Sequence, residues 1–156
     1  MRHLLEIDDL GADELRTILD LSERADLPRV LDGQGAMLLF EKPSARTRTS
    51  MEMAVVQLGG HPVTLRNEEV GIDRRESAED LGRLLSGYGA VIGARVFGHH
   101  KVERLAAAAS VPVVNLLLLV APLAFVVGAS GLIASLIPTR QRWIRVLVVL
   151  AFIPVV

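Results

Sequence analysis

The chain has 156 residues, 51% hydrophobic and 22% charged, and no cysteine, which leaves room for one ordinary domain and excludes disulfides, thiolate nucleophiles and zinc sites built from sulfur. Beyond residue 115 the only charges are Arg140, Arg142 and Arg145; taking these from the 17 basic residues leaves 14 against 18 acidic ones, a net charge of −4 for residues 1–115. A mildly acidic domain offers no general footprint for nucleic acid, so any anion site must be local.

Met1 to Leu10 places Glu6, Asp8 and Asp9 where a secretory signal needs an unbroken apolar stretch, and no export signal is expected there. From Ala12 to about Ala25, Leu15, Ile18, Leu19 and Leu21 recur at helical spacing, with Asp13 and Glu14 in the first turn where the helix dipole favours acids. Ala36 to Phe40 is short, apolar and preceded by Gly33 and Gly35, which suits a buried strand. Pro43 and Ser44 mark a turn. Met51, Ala54, Val55 and Leu58 then predict a helix over about 47–58, stopped by Gly59 and Gly60.

A short strand is expected around Pro62 to Leu65, followed by a polar loop through Asn67, Glu68, Glu69 and Gly71. Leu81, Leu84, Leu85 and Tyr88 stripe the next helix, with Ser77 and Asp80 as a variant capping box. A third strand fits Ala90 to Val96. Lys101 to Ala109 is alanine-rich and helical in propensity, and Val111 to Val114 reads as a strand ending at Asn115, with Pro112 tolerated near its start. This alternation implies an α/β domain: a parallel sheet of about four strands with helices on both faces.

The stretch that carries chemistry is Phe40 to Thr49, between a strand's carboxyl end and a helix's amino end. A helix start presents unpaired backbone N–H groups and partial positive charge, so an anion is held there readily. Arg46 and Arg48, with the hydroxyls of Ser44, Thr47 and Thr49, complete a phosphate cradle, because a guanidinium gives two parallel hydrogen bonds to phosphate oxygens. Ordinary caps and solvated arginines show the same spacing, which by itself leaves both readings open. The segment lacks the glycine-rich pattern of a nucleotide-binding loop. His99 and His100 are expected on a surface loop rather than at a metal, since no third ligand has suitable spacing to them.

FEKPSARTRTSME, residues 40–52, closely resembles the S-x-R-T-R carbamoyl-phosphate motif of the aspartate and ornithine carbamoyltransferase family. The likeness continues through QLGGHPVTL, RRESAEDLGRLL, AVIGARVFGHH and ASVPVVNLL, covering most of residues 1–117, and Lys42 and ARVFG favour the ornithine branch. The resemblance implies that Ser44, Ala45, Arg46 and Thr47 hold the phosphate of carbamoyl phosphate, Ala45 through its backbone in place of the usual threonine. It further implies that Arg48 supports the loop, that Arg95 reaches the ligand from a later strand, and that Arg46 and Arg95 are the catalytic residues. The implied reaction is attack of ornithine's side-chain amine on the carbamoyl carbon, giving citrulline and phosphate in arginine biosynthesis. No cofactor or metal, a homotrimer and a cytoplasmic location are implied with it.

The pattern breaks after Asn115. No H-P-x-Q motif and no counterpart of the ornithine-binding domain follow; Ala121 to Ala124 stands where the histidine and glutamine would be sought. Residues 1–115 are therefore expected to form the carbamoyl-phosphate-binding domain of a truncated chain, inactive alone, whose trimer is in doubt. Leu116 to Ile137 carries no charge, long enough to cross a hydrocarbon core that takes about 20 helical residues. A transmembrane segment is expected over 116–137, with a partial second apolar segment over 146–156 and membrane association through the tail. The alternatives are a non-enzymatic, membrane-tethered anion-binding relic, or a frame-shifted gene product.

Overall fold

Five consecutive buried residues, Ala36 to Phe40, sit in the six-residue strand β1 (Gly35–Phe40). Such a run needs cover on both sides, which is the condition of a parallel sheet between two helix layers. The computed structural model describes residues 1–23, 26 and 28–117. Its sheet has four strands in the order β2-β1-β3-β4, with β2 at His61–Arg66, β3 at Val91–Arg95 and β4 at Val113–Asn115, every pair parallel. The α/β class and four-stranded sheet read from the sequence are those observed.

Alternate residues of β1 feed two cores. Met37 and Leu39 join Ile92 and Ala94 of β3 against Leu81 and Leu85 of α4 (Ala78–Ser86) and Val102 and Leu105 of α5 (His99–Ala108). Leu38 and Phe40 turn the other way, to Leu116 and the half-buried Met51 of α2 (Ala45–Gln57). The α4–α5 contact is close enough that a Cβ on Gly82 would lie 2.4 Å from the Leu105 carbonyl oxygen, so this helix position admits only glycine. The open side of β4 is taken by the amino terminus: Leu4 N–H donates to the Val113 carbonyl and Asn115 N–H to the Leu4 carbonyl, each at 2.8 Å. That pairing covers a sheet edge.

Several boundaries differ from the periodic reading, each for a local reason. α1 is described over Ala12–Glu23; the predicted end near Ala25 lies outside the described residues. α2 starts at Ala45 rather than residue 47, because Ser44 is its N-cap. Asn67–Val70 is not a loop but the single helical turn α3, whose Glu69 carboxylate accepts the Arg66 N–H and whose C-cap, Gly71, takes the left-handed φ of 56°. His99 and His100 lie on the first turn of α5, not on a loop. β4 begins at Val113, after Pro112, which has no N–H to give a ladder. In the α4 stripe Leu81 and Leu85 are buried, whereas Leu84 and Tyr88 are exposed, Tyr88 lying beyond the helix end.

The predicted apolar segments over 116–137 and 146–156 lie outside the described residues, except for Leu116 and Leu117. Leu116 is buried beside Leu38 and Phe40, and its N–H donates to the Ala94 carbonyl at 2.8 Å. Among the described residues no helix is long and apolar enough to cross a membrane.

Candidate functional site

Two loops meet at the carboxyl end of the sheet. β1 and β3 are hydrogen-bonded neighbours in which Phe40 pairs with Arg95, so the chain leaves both strands side by side. From β1 the connection runs outward to β2 on one side, while β3 and β4 lie on the other. That reversal of direction is where open parallel sheets leave a crevice for ligands, because the two loops diverge.

Ser44 shapes one side of the crevice. Its backbone is extended, with φ −161° and ψ 101°; its hydroxyl accepts the Thr47 N–H at 3.4 Å and donates to Thr47 Oγ1 at 3.0 Å. The first bond within α2 runs from Arg48 N–H to the Ser44 carbonyl, at 3.0 Å. The amides ahead of it have no carbonyl within the helix and leave the partial positive charge of a helix start facing the crevice.

Arg95 supplies the other side. It is 9% exposed, and Nη1 donates to Thr47 Oγ1 at 3.1 Å, so Thr47, itself 1% exposed, ties the two loops together. Arg95 Nε is buried with no hydrogen-bond partner. Burial pushes the guanidinium pKa below its ordinary value, yet an arginine starts from so high a value that it remains a cation. A buried N–H left unmatched costs about 1–3 kcal/mol. A buried cation with one unused donor thus lies beside the first turn of α2.

The structure thus joins Ser44, Thr47 and Arg95 through one shared hydroxyl. Ala45 and Arg46 are exposed on the first turn of α2, and Arg48 is half-buried one position beyond Thr47. Arg46 and Arg48 are two residues apart on a helix and leave it on different sides; the guanidinium linked to the cap is Arg95, 48 positions downstream of Thr47.

One buried group escaped the sequence reading. Glu41, 8% exposed, accepts the Phe97 N–H at 2.9 Å and Lys101 Nζ at 2.5 Å. An acid directly after an apolar strand and ahead of a phosphate-type loop was the available signal, but its partner lies 60 residues away. His99 Nε2 sits 3.1 Å from Glu6 and 3.7 Å from Glu103. Among the described residues no group of three or more histidines and acids is placed to hold a metal.

Residues 2–119 match the family described as aspartate/ornithine carbamoyltransferase, carbamoyl-P binding domain. The chain is 48% identical over 120 residues to an ornithine carbamoyltransferase of Thermus thermophilus, an alignment covering 74% of this chain and 40% of that one. The solved ornithine carbamoyltransferase of Pyrococcus furiosus superposes with a TM-score of 0.68 at 40% identity, covering 73% of this chain and 39% of that one. A mitochondrial ornithine carbamoyltransferase from Coccidioides immitis gives 0.72 at 32% identity, covering 87% and 46%. The chain spans about two fifths of the length of the curated relatives it matches.

Proposed function

The chain belongs to the aspartate/ornithine carbamoyltransferase family, and from that membership we propose that residues 1–115 bind carbamoyl phosphate in the crevice between β1 and β3. The phosphate sits on the amides of Ala45, Arg46 and Thr47 and on the Ser44 hydroxyl, with the Arg46 side chain closing over it. Arg48 supports the loop. Arg95 turns its unused Nε–H toward the ligand, where it stabilises negative charge on the carbamoyl oxygen and the departing phosphate. One observation supports this reading above the rest: a buried guanidinium with an unmatched donor, hydrogen-bonded to the same threonine as the helix cap.

The reaction this binding serves is transfer of the carbamoyl group to the side-chain amine of ornithine. The amine nitrogen forms a bond to the carbamoyl carbon, the carbon–oxygen bond to phosphate breaks, and the amine gives up its proton, so citrulline and phosphate result. The domain's part in that chemistry is orientation and cationic stabilisation, which need no protonated acid in the crevice. The sequence has no H-P-x-Q motif and no counterpart of the family's ornithine-binding loops. The 156 residues therefore bind carbamoyl phosphate without turning it over.

Isothermal titration of the full chain with carbamoyl phosphate tests this: heat is expected from the native chain and its loss from Arg46→Ala, while silence from both proteins overturns the assignment. Citrulline formed by the 156-residue chain overturns the claim of binding without turnover. The charge-free run over 116–137 favours one second reading, a membrane-tethered anion-binding module. Release of the chain by an alkaline carbonate wash removes it.

A further inference from the structure

Glu41 is the one buried acid among the described residues, and it directly follows β1, beside the end of β3 that carries Arg95. Taken alone, a carboxylate there opposes the ligand. Its contacts explain its presence. The N–H groups of Glu41 and Lys42 both donate to the Arg95 carbonyl, at 2.9 and 3.2 Å. Two residues past Arg95, the Phe97 N–H donates to Glu41 Oε2 at 2.9 Å, and Lys101 from the first turn of α5 donates to Oε1 at 2.5 Å. Arg95 is therefore bracketed: residues 41 and 42 hold its own carbonyl, and the Glu41 carboxylate holds the chain that leaves it.

A buried ion pair is weak evidence of stability, since desolvation cancels much of the attraction. What it supplies is fixed geometry and cancelled charge. We propose that Glu41 and Lys101 form a neutral clamp on the β3–α5 connection: Glu41 is a positioning residue that aims Arg95 Nε into the crevice, and Lys101 cancels the carboxylate's repulsion of the incoming oxyanion. The clamp rests on the reading of the crevice as an oxyanion site.

Carbamoyl phosphate titrated into the full chain reads both roles. Glu41→Gln keeps an oxygen for the Phe97 N–H and loses the ion pair, and affinity falls about tenfold. Lys101→Met leaves the carboxylate uncancelled beside the anion, and affinity falls on the order of a hundredfold. The double variant Glu41→Gln with Lys101→Met recovers at least to the level of Glu41→Gln, a pattern that loss of stability alone does not produce. Lys101→Arg holds the native affinity, and Lys101→Gln, expected to lose it as Lys101→Met does, serves in place of Lys101→Met if that variant fails to fold. Thr64→Val, which removes the 2.6 Å hydrogen bond from β2 to Glu52 on α2, lowers the melting temperature and leaves affinity unchanged. Native affinity in Lys101→Met, a double variant no better than Lys101→Met, or a matching affinity loss in Thr64→Val each overturns the clamp. If the native chain gives no heat, the oxyanion reading itself has failed. The clamp then stands or falls on the Arg95 Nε–H resonance of the ligand-free chain, which must shift in Lys101→Met.

Discussion

On the α4–α5 side of the sheet, Leu81 and Leu85 meet Val102, Leu105 and Ala106, and neither helix contributes a buried polar side chain. At the carboxyl ends of the strands the composition reverses. The four buried polar side chains among the described residues are Glu41, Arg95 and Asn115, each at or just beyond the end of β1, β3 or β4, and Thr47 in the first turn of α2. Three of them meet their hydrogen-bonding needs internally: Glu41 through Phe97 and Lys101, Thr47 through Ser44 and Arg95, and Asn115 through Leu5 and Leu117. Arg95 does not, because Nε is left over. One side of the domain is closed by apolar packing, and the other keeps one buried donor unmatched, where we propose that the ligand binds.

That contrast sets what substitutions should do. Leu105→Ala, in the fully buried α4–α5 contact, is expected to destabilise the fold by about 2–5 kcal/mol while the folded fraction keeps its affinity for carbamoyl phosphate; urea unfolding with and without ligand reads both quantities. Arg95→Met should do the opposite. It forfeits charge-assisted hydrogen bonds of about 1.5–3 kcal/mol, roughly a 10- to 150-fold loss of affinity, and leaves the melting temperature unchanged or higher because an unmatched buried charge is gone. If affinity falls in the first variant and stability in the second, the division between the two regions is wrong.

Ser44→Ala belongs to both regions and sharpens the comparison. It removes an N-cap, at about 1 kcal/mol of stability, together with the hydroxyl proposed to hold the phosphate. Melting temperature and affinity should fall together, whereas Ser44→Thr should keep both.

The smallest effect concerns the outer edge of the α4–α5 layer. Arg104 donates to both oxygens of Glu79, at 2.7 and 2.6 Å, and to Asp73 at 3.1 Å. The hydrogen bond from Arg104 holds the Glu79 carboxyl down at about 2, against an ordinary 4.5. A value depressed by folding means the contribution is complete above the unfolded value and is lost as the pH falls from about 4.5 toward 2. Urea midpoints followed down that window should drop less steeply in Glu79→Gln, with no change in carbamoyl phosphate affinity at neutral pH.

How much of this could be read from the chain follows from the distance between partners in sequence. The cap at Ser44 and the helix after it are local, and serine, threonine and arginine around a turn identify them from a dozen residues. Apolar runs located β1, β3 and β4, which hold buried residues, whereas the half-buried edge strand β2 was read only as a short strand after Gly59 and Gly60. Asn67–Val70 was hidden because one helical turn has no periodicity, only a glutamate reaching back and a glycine that can take positive φ. Arg95 stood out through family resemblance alone: nothing local marks an arginine whose hydroxyl partner lies 48 positions upstream. Glu41 and Lys101, 60 positions apart, became partners only once β1 and β3 were neighbours.

The central claim is that an oxyanion completes Arg95, and the Arg95 Nε–H group itself reports on it. In proton–nitrogen correlation spectra of the full chain, its resonance is identified by its disappearance in Arg95→Lys. Titration with carbamoyl phosphate is predicted to shift that resonance and the amide signals of Ala45 to Thr47 along a single binding curve. A saturating titration that leaves the Arg95 signal in place while resonances elsewhere move would contradict the account.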